Sequence, residues 1–108
     1  MEKEAFSAII SELTPGMIVD ANGEIAVIID ILISQFTENV CLFVRFPRNV
    51  GNARPYDILE LSPQQTFGVE HWQPATQKQL EERLAARQLW LEKEIDQLRQ
   101  TAKVPVEV

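Results

Sequence analysis

Arg45, Arg48 and Arg54 fall within ten residues of one another, flanked by Phe46 and Tyr56 and with no acid between them. A guanidinium group is planar and permanently charged, grips a carboxylate or phosphate through paired hydrogen bonds, and stacks on aromatic rings. The stretch thus has the residue types of an anion-binding loop. Its setting sharpens the contrast, because residues 4–44 hold Glu4, Glu12, Asp20, Glu24, Asp30 and Glu38 and no base. The competing expectation is that the arginines pair with Asp57, Glu60 or Glu38 as surface ion pairs, each worth little. Three arginines on a chain of net charge −6 neutralise too few phosphates for tight nucleic-acid binding at physiological salt.

The remaining chemistry is sparse. His71 is the single histidine and Cys41 the single cysteine, so a His/Cys metal cluster and an internal disulfide are both excluded. No nucleophile has a base beside it in sequence, and there is no glycine-rich phosphate loop. The sequence therefore predicts no catalytic residues, no metal and no cofactor. His71-Trp72 is expected to plug a junction between elements, and Cys41 to serve as a small buried hydrophobe.

The elements that position these residues follow from periodicity. Phe6, Ile9, Ile10 and Leu13 recur on one helix face, which predicts a short helix stopped by Thr14-Pro15-Gly16. Strands are expected at 17–20, 24–34, 40–46, 56–61 and 66–70. Asn22-Gly23 marks a tight hairpin between the first two, since both central residues of a type I′ turn need positive φ. Alternation places Ile25, Val27, Ile29 and Ile31 with Val40, Leu42, Val44 and Ile58 in the core, and leaves a second apolar face of Ile28, Leu32, Cys41 and Phe43. Pro47 to Pro55 is loop, with Asn, Gly and Pro chemistry throughout.

Five short strands in about 55 residues bury a common face by curling on themselves. Leu13-Thr14-Pro15-Gly16-Met17-Ile18-Val19, then Asn22-Gly23 and a β-branched strand, resembles the opening of SH3-like barrels, including KOW and Tudor-like modules, and the likeness covers residues 13–71. The resemblance implies a five-stranded SH3-like barrel; with the short N-terminal helix and a long C-terminal amphipathic helix that the spacing of apolar residues predicts, the expected fold is α+β, mainly β. It carries little about role, because such barrels host many functions. The broad basic face of nucleic-acid-binding barrels is missing, as is a full aromatic cage.

The long helix begins at Thr76, which can cap it while Gln79 completes a capping box. Leu80, Leu84, Leu91, Ile95 and Leu98 form one stripe, with Trp90 widening it. A helix from there to Thr101 is longer than a small barrel is wide, so part of the stripe must overhang or meet another chain. The expected organisation is a single domain: helix 1–13, barrel 14–73, helix 74–102 and flexible tail 103–108. No apolar stretch is long enough for a signal-peptide core or a membrane span, which predicts a cytoplasmic protein without membrane insertion.

The function expected from these residues is that of a non-catalytic adaptor or assembly protein working through protein–protein contacts. Its candidate contact residues are Arg45, Arg48, Arg54, Phe46, Tyr56, Trp90, Leu91, Ile95 and Leu98, and its expected partner is another protein, with a homodimer favoured. The alternative is a regulatory module that reads an anionic ligand or nucleic acid through the Arg45/Arg48/Arg54 loop.

Overall fold

The computed structural model describes residues 1–102; the tail expected at 103–108 lies outside the described residues. Two helices and five antiparallel strands follow in the order α1 (Lys3–Ser11), β1 (Ile18–Ala21), β2 (Glu24–Ile33), β3 (Val40–Arg45), β4 (Asp57–Leu61), β5 (Gln73–Pro74) and α2 (Gln77–Thr101). The strands form one sheet in the order β4-β3-β2-β1-β5. The β1–β2 turn uses the chemistry its sequence carries: Asn22 and Gly23 sit at φ 56° and 99°, and the Gly23 amide donates to Asp20 Oδ1 at 2.7 Å.

The sheet does not close into a barrel, which corrects the expected SH3-like barrel. Its β4 and β5 ends do not pair among the described residues. The strand expected at 66–70 is absent: Phe67 and Gly68 adopt left-handed backbone at φ 52° and 76°, and a 3-10 turn, Val69–His71, follows them. Two consecutive left-handed residues cannot continue a strand. The last strand forms later and only as Gln73–Pro74, paired with Asp20 and Val19; Pro74 has no amide to donate, and the Ala75 amide makes one more bond, to the Ile18 carbonyl at 2.9 Å, before the ladder ends. The result is an open, mainly β, α+β sheet.

Its inner face is set by register. Val19 lies opposite Ala26, Ile28 opposite Val44, Ile31 opposite Leu42, and Val40 opposite Leu61. Phe6 and Ile10 of α1 and Val69 of the 3-10 turn complete this core, with Leu13 and Trp72 packed at its margin. A β-bulge alters the expected core membership. Ile28 pairs with Val44 and Asp30 with Phe43, so Ile29 is the extra residue, and inward-facing positions switch from even before it to odd after it. Ile29 is consequently 43% exposed while Ile28 is fully buried. Ile58 is also a correction: it lies opposite Phe43 on the outer face and is 41% exposed. Ile25 is buried, but outside the main cluster. Cys41 is half-buried on the outer face, between Leu32 and Glu60.

Helix α2 starts as expected, with the Thr76 hydroxyl accepting the Gln79 amide at 3.2 Å and Gln79 Oε1 accepting the Thr76 amide at 2.8 Å. It crosses the sheet's outer side near β2 and the 3-10 turn Pro47–Asn49. None of its residues is fully buried. The helix has 25 residues, which at 1.5 Å each make about 37 Å, and it stretches the molecule to 61 Å against 30 and 19 Å in the other directions.

Candidate functional site

The segment that leaves β3 turns at once into the 3-10 turn Pro47–Asn49, started by Pro47 with its preset φ. Asn49 holds that turn from inside. It is buried at 4% exposure, accepts the Phe46 amide on Oδ1 at 2.7 Å, and directs Nδ2 at Asp57 Oδ1 at 3.3 Å. The anchored turn fixes Arg48. Its Nη1 donates to Asp57 at 2.7 Å and its Nε to Glu24 at 3.3 Å, while its guanidinium carbon sits 4.1 Å from the centre of the Phe46 ring. Arg48 thus ties β2, the turn and β4 together.

Partial burial opposes the charge of both partners, and the ion pair outweighs it in each. Burial pulls the Arg48 guanidinium down, but the hydrogen bond and charge of Asp57, with Glu24, leave its pKa above the ordinary value. Burial pushes the Asp57 carboxyl up, but hydrogen bonds from Arg48 and Asn49 and the charges of Arg48 and Arg54 leave it below the ordinary value. The sign of the pH dependence follows. A carboxylate whose folded pKa is depressed stabilises the fold above its unfolded pKa, about 4, and that stabilisation is lost as pH falls through the lower folded value. Arg48 stays charged across the same range. Asp57→Asn should therefore cost about 1–2 kcal/mol at pH 7, a figure held low because Arg48 is half exposed. In denaturant titrations the gap between wild type and variant should narrow as pH falls below the ordinary carboxylate range of about 4; a gap that stays constant as the pH is lowered from about 7 through that range would contradict this account.

The three arginines do not form a common loop site. Arg45, exposed at the end of β3, lines a separate hollow of about 300 Å³ with Val27, Leu80 and Leu84, Arg48 is engaged as above, and Arg54 is exposed in the loop. Tyr56 packs its ring against Phe43 at 5.8 Å between centroids. What joins Arg48 instead is α2. Arg83 and Arg87 line, with Arg48, a cleft of about 320 Å³ beside Glu24, Ile25 and Pro47. Arg87 donates twice to the Val50 carbonyl, at 3.2 and 3.1 Å, and lies 4.4 Å from the centre of the Trp90 ring. Arg83, Arg87 and Asn49 are residues that sequence reasoning missed. The i,i+4 spacing of the two helix arginines beside the Leu80–Leu84–Leu91 stripe was the available signal.

Along the stripe, Leu91 is half-buried and its methyls lie beside Gly51, where an added Cβ would come within 3.3 Å. Trp90 is 49% exposed, and beyond Leu91 the cover ends: Ile95 is 49% and Leu98 71% exposed. A larger groove of about 710 Å³ runs between α1 and the β2–β3 hairpin, floored by Phe6, Ile10 and Ile31, with a Lys3–Glu38 ion pair of 3.2 Å at its rim. His71 is exposed, with Glu70 3.8 Å away. Trp72 Nε1 is buried without a partner. Among the described residues no cluster of His, Cys, Asp or Glu could hold a metal ion, and no helix is long and apolar enough to cross a membrane. Comparison with protein-family models, with curated proteins and with solved structures finds no match to this chain.

Proposed function

We propose that the protein is a non-catalytic assembly module that docks other protein chains through the free end of α2, and that the first occupant of that end is a second copy of the same chain. The observation that carries this reading is the continuation of one apolar stripe past its own support. Leu80 and Leu91 are half-buried toward the body, whereas Ile95 and Leu98 extend the same stripe into solvent at 49% and 71% exposure. Apolar stripes of this kind serve as contact surfaces. Residues 92–101 give about 15 Å of unsupported helix.

Sterics favour one geometry. The body occupies the stripe side of α2 up to Leu91, so a second helix can share the stripe only beyond that point and must run antiparallel, its own body at the far end. A two-fold pairing of this kind sets Ile95 against Leu98 of the second copy, a heptad-type layer. Light scattering across micromolar concentrations should then show a dimer. Ile95→Asp with Leu98→Asp should weaken it at least about tenfold per substitution and leave the fold of the single copy intact by circular dichroism, since both side chains are exposed in one copy. A monomeric wild type over that range would overturn the dimer.

A further inference from the structure

We propose that the cleft between the 3-10 turn Pro47–Asn49 and α2 is a binding site for a small phosphate ester, held by Arg48, Arg83 and Arg87. The three guanidinium groups come from two elements distant in sequence and line one cleft of about 320 Å³, at the small end of the range for ligand pockets. Two are held in place by hydrogen bonds to the chain itself. Arg48 spends Nε on Glu24 and Nη1 on Asp57, so Nη2 is free to donate. Arg87 spends Nε and Nη2 on the Val50 carbonyl, so Nη1 is free. Donors fixed before the ligand arrives lose less conformational entropy on binding.

Arg83 supplies the charge. It makes no ion pair among the described residues, and with it three cations stand against Glu24 and Asp57, the two carboxylates that Arg48 already engages. A phosphate monoester near neutral pH carries close to two charges and three terminal oxygens, enough to accept from three guanidinium groups at once. Besides the arginines and Glu24 the lining is carbon: Ile25, Phe46, Pro47 and Ala86. Such walls suit the organic part of an ester better than a bare hydrated ion. The cleft takes one phosphate group, and the net charge of −6 opposes a long polyanion. The site is independent of the free end of α2, which begins after Leu91.

Amide chemical-shift titration of the full chain with phenyl phosphate, with inorganic phosphate and with sodium chloride at matched ionic strength tests this. Phenyl phosphate should shift the amides of residues 47–51 and 83–87 saturably, with a Kd of about 1 mM or tighter, and bind more tightly than inorganic phosphate. Arg83→Ala should raise that Kd about tenfold or more while the melting temperature stays put, because Arg83 is exposed. Arg99→Ala, in the free end, should leave binding unchanged. Absence of saturation up to about 10 mM, equal binding by Arg83→Ala, or equal affinity for the two phosphates would overturn the assignment. So would a submicromolar, salt-sensitive complex with a single-stranded oligonucleotide, which would make the same arginines part of a nucleic-acid surface.

Discussion

Ile28→Ala should destabilise the protein by about 3–4 kcal/mol, whereas Ile29→Ala, one residue along the same strand, should cost less than about 1 kcal/mol. Both side chains are isoleucines in the middle of a β-branched run, so hydropathy cannot separate them. The bulge does. Ile28 lies opposite Val44 and is fully buried, with Ala26, Val44 and Leu42 in the same cluster. Its truncation leaves a cavity that a close-packed core cannot refill, adding a cavity cost to the lost transfer energy. Ile29 is the residue with no partner on β3 and is 43% exposed. Its truncation leaves no enclosed void. Urea denaturation of the two variants against wild type measures the difference directly. Equal costs, or a larger loss at Ile29, would place the bulge elsewhere and restore a uniform alternation along β2.

The same pair shows what was legible in the sequence. Signals confined to a few consecutive residues came through: Asn22-Gly23 gave the β1–β2 turn, Thr76 with Gln79 gave the start of α2, and Phe6 with Ile10 gave the buried side of α1. Each is a local geometric requirement that only a few residue types satisfy. The bulge at Ile29 leaves no such mark, because a run that is apolar on both faces tolerates either register. The fifth strand failed for a related reason. Residues 66–70 have acceptable strand composition, but Gly68 permits a left-handed turn, and pairing with β1 begins only at Gln73. The arginine cleft needed the path of α2 across β2, a tertiary fact. Charge counting found Arg48 but grouped it with Arg45 and Arg54, its neighbours in sequence, when its neighbours in the cleft are Arg83 and Arg87.

Phe6→Ala should be as damaging as any core truncation, at about 3–5 kcal/mol, and should act by releasing a whole element. Helix α1 has nine residues, too few to persist alone in water. Its first turn lacks a side-chain cap, so little besides packing holds it. That packing is centred on Phe6 and Ile10, 4% and 6% exposed, which cover the inner face of the sheet beside Val40 and Leu61. Truncating Phe6 removes the larger anchor, and once α1 detaches the inner face is bared to water along β3 and β4. The loss is a large share of the 5–15 kcal/mol that typical domains possess. Limited proteolysis should then cut within residues 1–16 far faster than in wild type, and the variant should aggregate on concentration as apolar sheet surface meets its like. A variant that loses less than about 1 kcal/mol and resists cleavage there would show that α1 rests on the sheet without sealing it.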